Sequence, residues 1–229
     1  MGGAGNDAVS YSGSSAAVAV NLNAATATGG DAEGDYLSGI ETLEGSAFND
    51  TLTGNGSANL LSGGAYDDTI SGGLGSDTMI GGAGNDTFTV DISTDVVTEA
   101  AGEGTDLVRS SVNWVLAANF ENLTFYGSGD LVGDGNDLDN VITGNSGTGV
   151  TVATGANLLR GFGGNDTIIG LGGVDTIDGG TGIDSMVTAP AAMSITPTTP
   201  TTSSLKRPAR AWTAFTPRPP SPWQALSNT

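Results

Sequence analysis

Two consecutive nine-residue segments decide the architecture of this chain. Residues 72–80 read Gly-Gly-Leu-Gly-Ser-Asp-Thr-Met-Ile, and residues 81–89 read Gly-Gly-Ala-Gly-Asn-Asp-Thr-Phe-Thr. The same frame runs without a break from residue 45 to residue 89, returns over residues 161–187, and opens the chain at Gly2. A short period repeated in this way predicts a solenoid, in which each repeat packs on its neighbours.

Each nine-residue repeat, or nonad, combines a glycine-rich turn with a short strand. Glycines at positions one, two and four permit positive φ angles, which other residues mostly avoid. Positions seven to nine alternate outward, inward and outward, so position eight is the single core position. We therefore predict an all-β fold, a parallel β-roll or right-handed β-helix solenoid, in which each strand stacks on the strand two nonads later. The expected core residues are Val9, Leu52, Leu61, Ile70, Met79, Phe88, Ile142, Ile168, Ile177 and Met186.

Position six carries an aspartate in most nonads, which would place carboxylates in columns. Two unit charges about 5 Å apart repel by about 0.8 kcal/mol in water and by roughly 3 kcal/mol at an effective dielectric constant of 20. An aspartate in a turn can instead bond its own backbone, but a column at constant spacing favours a cation. Oxygen donors without histidine or cysteine favour Ca²⁺ over zinc, copper or magnesium. The expected metal ligands are Asp7, Asp50, Asp68, Asp77, Asp86, Asp95, Asp166, Asp175 and Asp184.

The alternation of the nonads also predicts which side chains stack, because consecutive turns fall on opposite sides of the coil. One expected column contains Asp50, Asp68 and Asp86, and the opposite column contains Asn59, Asp77 and Asp95. In the second array, Asp166 should stack with Asp184, with Asp175 on the opposite side. Six aspartates that lie outside position six are expected on the solvated surface, namely Asp35, Asp67, Asp134, Asp137, Asp139 and Asp178.

The copies differ in their glycines. The copies at residues 72–80, 81–89 and 179–187 keep glycine at positions one, two and four. In each of three other copies one of these glycines is replaced, by Tyr66, Phe162 or Leu171. The copies that start at residues 45, 54 and 135 lack the second and fourth glycines, and two of them carry Asn59 or Asn140 at position six. We expect the substituted copies to continue the coil with weak or no calcium binding.

These repeats resemble the RTX, or haemolysin-type, calcium-binding repeat family. The resemblance rests on the Gly-Gly-x-Gly-x-Asp nonads, and degenerate copies with similar spacers extend it over residues 2–187. It implies a parallel β-roll in which position-six aspartates and turn carbonyls hold Ca²⁺ between successive coils. It also implies an extracellular bacterial protein, secreted by the type I apparatus of a Gram-negative cell, that folds when it meets calcium outside.

Composition divides the chain near residue 187. All 25 acidic residues and all 38 glycines precede residue 188, whereas all eight prolines and four of the six basic residues follow it. The acidic part should attract cations and repel nucleic acid and anionic membranes. Cysteine is absent, and no apolar run is long enough to span a membrane.

We predict four regions. Residues 1–30 hold a partial repeat and an irregular β segment, residues 31–95 a first β-roll module, and residues 96–187 a second module with an insertion at 147–154. Residues 188–229 form a disordered tail, which we interpret as the frameshifted translation of a further module. Because the chain begins inside a nonad, we interpret it as a fragment of a longer array.

Catalysis is not expected of this chain. It contains no histidine, which excludes catalytic triads and histidine-based zinc sites. Carboxylate pairs of the glycosidase type are conceivable, but no catalytic domain surrounds them. Two alternatives stay open: the repeats are the calcium-folded C-terminal part of a secreted enzyme or toxin whose catalytic domain is missing here, or a segment of an adhesin or surface layer.

Overall fold

The polypeptide forms a β-solenoid of about eight turns, and the all-β parallel fold expected from the repeats is confirmed. The computed structural model describes residues 2–146 and 155–188, together with two short strands at residues 194–195 and 204–205. Apart from one 3-10 turn at Gly30–Ala32, these residues contain strands, turns and irregular segments but no α-helix. None of the described residues forms a helix long and apolar enough to cross a membrane.

Successive strands along most of the chain alternate between two faces of the coil. One face, the long-sheet face, is a single sheet of 11 strands. Its strands are β2 (Ala19–Asn21), β3 (Thr26–Thr28), β5 (Thr51–Thr53), β7 (Thr69–Ser71), β9 (Thr87–Val90), β11 (Leu107–Ser110), β13 (Asn122–Phe125), β15 (Val141–Thr143), β17 (Thr167–Ile169), β19 (Ser185–Val187) and β21 (Ser204–Leu205).

The other strands form two separate sheets of five strands each. The first contains β1 (Ala8–Ser10), β4 (Thr42–Glu44), β6 (Leu60–Ala65), β8 (Thr78–Ala83) and β10 (Val96–Thr98). The second contains β12 (Trp114–Val115), β14 (Val132–Asp134), β16 (Leu158–Arg160), β18 (Thr176–Asp178) and β20 (Ser194–Ile195). A cleft of about 340 Å³, lined in part by Val97 and Trp114, lies where β10 and β12 fail to pair.

The register of the strands follows the nonads. Leu61 of β6 pairs with Met79 of β8, and Ile70 of β7 pairs with Phe88 of β9, so each strand stacks in parallel on the strand two nonads later. Pairs at the irregular segments depart from this spacing, as in β1 with β4 and β11 with β13, and one pair is antiparallel, that of β3 with β2. This hairpin ends the long sheet at its N-terminal edge.

The core is a narrow column of position-eight side chains, as the repeats predict. Phe88 is fully buried and meets Phe120 edge to face, with 5.5 Å between the ring centroids. Val9, at the N-terminal end of the stack, is only partly buried and packs against the core. The other expected core residues are buried, and these are Leu52, Leu61, Ile70, Met79, Phe88, Ile142, Ile168, Ile177 and Met186.

Two features of the predicted organisation concern residues that the structure does not describe. The insertion at 147–154 lies outside the described residues, but the nonad that it splits is closed, since the Asn145 N–H donates to Asn157 Oδ1 at 3.0 Å. Most of the tail at 188–229 also lies outside them. Within the tail, β20 pairs with β18 and β21 pairs with β19, which continues both faces by one strand. The module boundary at residue 95 stays a prediction.

Candidate metal sites

The position-six side chains stand in two columns, linked by hydrogen bonds from coil to coil. The Asp50 N–H donates to Asp68 Oδ1, and the Asp68 N–H donates to Asp86 Oδ1, both at 2.7 Å. On the other side, the Asn59 N–H donates to Asp77 Oδ1 at 2.8 Å. The remaining links of these columns join Asp77 to Asp95, Asn140 to Asp166, Asn157 to Asp175 and Asp166 to Asp184. The expected stacking is therefore confirmed, and each link leaves Oδ2 of the accepting aspartate for another partner.

In one class of turn, which we call capped, the backbone of the same nonad satisfies the position-six side chain. The N–H of position two donates to it, as from Asn55 to Asn59 Oδ1 at 2.8 Å. None of the position-two residues in this class has a positive φ angle. The capped pairs are Gly3 with Asp7, Ser46 with Asp50, Asn55 with Asn59, Asn136 with Asn140 and Asn145 with Asn157.

In the other class, which we call open, positions two and four both have positive φ angles. Gly64 and Tyr66 in the nonad that starts at residue 63 have φ angles of 122° and 74°. The open turns start at residues 63, 72, 81, 161, 170 and 179. In five of them the position-six Oδ2 is buried without a hydrogen-bond partner, and the aspartates concerned are Asp68, Asp77, Asp86, Asp166 and Asp175.

Glycine at position one leaves space for these free oxygens. A Cβ atom on Gly63 would collide with Asp68 Oδ2 and would lie 2.8 Å from the carbonyl oxygen of Gly81 in the next coil. The same holds at Gly161, where a Cβ atom would collide with Asp166 Oδ2 and lie 2.5 Å from the Gly179 carbonyl oxygen. A free carboxylate oxygen and a carbonyl oxygen from the next coil thus converge on one space. An all-oxygen donor set of this kind fits Ca²⁺.

Comparison with known proteins agrees with this geometry. The family model described as RTX calcium-binding nonapeptide repeat (4 copies) matches residues 36–65, 53–88 and 153–186. These segments are RTX calcium-binding repeats. The expected cofactor, Ca²⁺, is therefore confirmed for the RTX repeats of this chain.

One curated relative shares part of the RTX region. Over 50 residues the chain is 54% identical to endo-1,3-1,4-beta-glycanase ExsH of Rhizobium meliloti (strain 1021). The match takes in 22% of this chain and 10% of the relative, so the chain spans about a tenth of that protein's length.

Glycine content alone does not decide which RTX turns are open. Phe162 and Leu171 take φ angles of 73° and 62° at position two, so their turns are open without the second glycine. In contrast, the first nonad has glycine at positions one, two and four, yet its Gly3 N–H caps Asp7 at 2.6 Å. Non-glycine residues with positive φ cost roughly 1–3 kcal/mol each when the surrounding structure imposes them. The stacked coils, rather than the local sequence, set the turn class at these positions.

Burial shifts the pKa values of the open-turn carboxylates upward. Desolvation raises the pKa of Asp68 to about 7, and the neighbouring charges of Asp86 and Asp50 add to the effect. It likewise raises the pKa of Asp77, Asp86 and Asp166 to about 6. Without a cation, these carboxyls would therefore take up protons at a higher pH than an ordinary aspartate, Asp68 near neutrality and the other three near pH 6.

Two acidic residues near the open turn at 81–89 were not expected at a site. Glu99 and Asp106 are buried, and each places one carboxylate oxygen within 4.8 Å of the other and of Asp86. Burial raises the pKa of Glu99 to about 8, with smaller contributions from the charges of Asp106 and Asp86. No motif marks these residues, because they become neighbours of Asp86 only through the register of two stacked coils.

The expected surface position of Asp134 is wrong. Its side chain is buried and pairs with Arg160, which donates from Nε to Oδ1 and from Nη2 to Oδ2, both at 2.7 Å. Asp134 lies on β14, next to Arg160 of β16 in the parallel register. A basic partner on the neighbouring strand thus offsets the cost of burying this carboxylate.

Proposed function

We propose that the open turns bind Ca²⁺ and that this binding drives the folding of the roll in an extracellular bacterial protein. The observation that carries the proposal is the set of five buried, unpartnered Oδ2 atoms at position six of the open turns. A buried carboxylate oxygen without a donor is costly, and several in one small domain would rival its net stability of about 5–15 kcal/mol.

The described residues supply little positive charge to offset the negative charge of these carboxylates. The basic residues among 2–146 and 155–188 are Arg109 and Arg160. Arg160 pairs with Asp134, and the Arg109 guanidinium lies 5.8 Å from the centre of the Tyr126 ring. The positive charge that the open turns require must therefore come from outside the described chain, and bound calcium would supply it.

The proposed ligands follow the turn classes. In the open turns, position-six Oδ2 lies against the space that glycine leaves at position one, and at Gly63 and Gly161 a glycine carbonyl oxygen of the next coil borders the same space. The proposed carboxylate ligands are Asp68, Asp77, Asp86, Asp166, Asp175 and Asp184, together with Asp95, whose Oδ2 is also buried without a partner. For Asp7 and Asp50 in capped turns we propose weak or no binding, because their own backbone already donates to them.

Folding and binding would be coupled because each site needs two coils. The Gly81 carbonyl oxygen reaches the space beside Asp68 only after β8 has stacked on β6. When a site exists only in the folded chain, its binding free energy becomes folding free energy. Neighbouring coils would then fold cooperatively along the stack.

Secretion and attachment to an enzyme belong to the same proposal. A chain that folds only in calcium can stay unfolded inside a cell and fold outside, which suits export by a type I apparatus. The glycanase relative supports a role for these repeats as the calcium-folded part of a secreted enzyme. We propose no catalytic activity for the repeats themselves.

Far-UV circular dichroism during a calcium titration tests the proposal directly. The spectrum should change from that of a largely unfolded chain in chelator to that of a β-rich protein before about 10 mM calcium, near the upper end of extracellular requirements. Magnesium at the same concentration is the control and should produce much less change. A spectrum that is identical in chelator and in calcium would contradict calcium-coupled folding.

A further inference from the structure

The open turn at residues 81–89 differs from the other open turns in what the next coil places above it. Over Gly63 and Gly161 the next coil supplies a glycine carbonyl oxygen. Over Gly81 it supplies the side chain of Glu99, which lies at the corresponding position one coil later. The Gly81 N–H donates to Glu99 Oε1 at 2.9 Å, and the Gly82 N–H donates to Oε2 at 3.3 Å.

A third carboxylate joins from the following strand. Asp106, directly before β11, accepts a hydrogen bond at Oδ1 from the Asp86 N–H at 2.8 Å. Asp86, Glu99 and Asp106 are 1%, 6% and 1% exposed, and their carboxylate oxygens lie within 4.8 Å of one another. Three buried carboxylates therefore meet where the regular nonads end.

An unsatisfied atom points into this cluster. Asp86 Oδ2 is buried and has no hydrogen-bond partner. A Cβ atom on Gly81 would collide with both Asp86 Oδ2 and Glu99 Oε1, so the two oxygens approach the same point from neighbouring coils. The free oxygen is thus directed at a space that a second carboxylate also borders.

We propose that Asp86, Glu99 and Asp106 form a three-carboxylate cation site that binds Ca²⁺ more tightly than the glycine turns and that also accepts trivalent lanthanides. This inference rests on the proposed calcium binding of the repeats, and it assigns Glu99 and Asp106 as ligands outside the nonad pattern. In a glycine turn, neutral carbonyl oxygens complete the donor set, whereas here a third anionic group takes their place. Affinity for hard cations rises with the number of charged ligands.

The position of the site gives it a structural role. Asp86 belongs to the coil of β8 and β9, whereas Glu99 and Asp106 belong to the next coil, that of β10 and β11. The five-stranded sheet breaks after β10. A cation held by both coils would join the first array of nonads to the irregular coils that follow. We therefore expect this ion to be the last that a chelator removes.

Equilibrium dialysis with calcium distinguishes this site from the others. Glu99→Gln and Asp106→Asn each remove one charge from the cluster, and Glu103→Gln is the matched control. The Glu103 side chain lies in the same spacer and accepts a hydrogen bond from the Ala100 N–H. Its charge acts on Asp86 and Asp106, but it adds no oxygen to the cluster, so this control separates a lost ligand from a lost nearby charge. Both cluster variants should raise the dissociation constant of the most tightly bound calcium ion roughly tenfold or more, whereas the control should change that constant by less than about threefold.

The outcomes separate the two proposals. If the parent protein binds no calcium, the proposed function fails and this site fails with it. If the parent protein binds calcium but Glu99→Gln and Asp106→Asn bind the tightest ion with unchanged affinity, only the proposal of the three-carboxylate site is wrong. Circular dichroism at saturating calcium shows whether each variant is folded when its affinity is measured.

A measurement on the unmodified protein covers the case in which the variants do not fold. Gadolinium, added in substoichiometric amount to the calcium-loaded protein, should first broaden the amide resonances of Gly81, Gly82 and Asp86. The amides of the open turns that start at residues 161 and 170 should broaden only at higher occupancy. Broadening that begins in another turn, or that is uniform along the roll, would overturn the assignment.

Discussion

Asp50 and Asp68 are neighbours in one column, yet their surroundings give them different chemistry. Both occupy position six, and the Asp50 N–H donates to Asp68 Oδ1. Oδ2 of Asp50 accepts from the Ser46 N–H, whereas Oδ2 of Asp68 has no partner. At position two, Gly64 has a positive φ angle and Ser46 does not. The backbone conformation at position two, four residues before the aspartate, therefore decides whether its carboxylate is bonded within its own turn or remains available to a cation.

The largest expected effect that separates the two classes is the pH dependence of the metal-free protein. The pKa of Asp68 is about 7 in the folded chain, against about 3.9 in an unfolded chain. A raised folded pKa gives stability that is fully present below the unfolded value and is lost as pH rises through the folded value. With Asp77, Asp86 and Asp166 shifted in the same direction, the free energy of unfolding in chelator should fall by several kcal/mol between pH 4 and 8.

Circular dichroism in chelator at several pH values measures this effect as the fraction of folded chain, which should be highest at acid pH and should fall toward that of a largely unfolded chain near neutral pH. In excess calcium the trend should reverse, because rising pH deprotonates the ligands and so strengthens calcium binding. Metal-free stability that is constant or increases from pH 5 to pH 8 would show that the open-turn carboxylates are not buried as described.

The substitution Gly64→Ser places the capped-turn residue in the open turn. A Cβ atom there would collide with the Ser46 carbonyl oxygen, and the φ angle of 122° is strained for any side chain. We expect a loss of about 1–3 kcal/mol from strain, and one bound calcium ion fewer. Denaturant unfolding in calcium and ion counting by equilibrium dialysis measure the two effects. Gly56→Ser is the matched control, since a Cβ atom on Gly56 meets nothing within 4 Å.

The pair Asp68→Asn and Asp50→Asn tests the two aspartates themselves. Asp68→Asn removes a proposed calcium ligand charge, so the calcium midpoint of folding should rise roughly tenfold. Asp50→Asn keeps one acceptor oxygen and should cost about 1 kcal/mol through weakened hydrogen bonds, with little change in the calcium midpoint. Equal shifts of the midpoint in the two variants would remove the distinction between the turn classes.

The smallest expected effect comes from converting the capped turn. The double substitution Ser46→Gly and Phe48→Gly allows positive φ at positions two and four, as in the open turn directly above it in the stack. We expect one additional weakly bound calcium ion, and a loss of roughly 1–2 kcal/mol of folding stability in calcium from the two added glycines. Native mass spectrometry in calcium would count the ion. An unchanged count would show that neighbouring coils, and not positions two and four, hold this turn closed.

Much of the fold could be predicted from the period of the sequence. A core position at every ninth residue follows from strand alternation, and Leu61 and Ile70 are buried as expected. The antiparallel β2–β3 hairpin and the break between β10 and β12 were not predicted, because both lie where the nonads are irregular. Asp134 was misplaced on the surface, since nothing in the sequence indicates that Arg160 of β16 lies beside it.

The amino-acid sequence by itself determined the coil, its core and the two columns of position-six side chains, because these follow from a nine-residue period and strand geometry. Only the tertiary structure decided which turns are open. Leu171 takes a positive φ angle and Gly3 does not, since contacts between stacked coils can outweigh the local preference of a residue. The same holds for the cluster of Asp86, Glu99 and Asp106, whose members come from two successive coils and meet only when those coils stack.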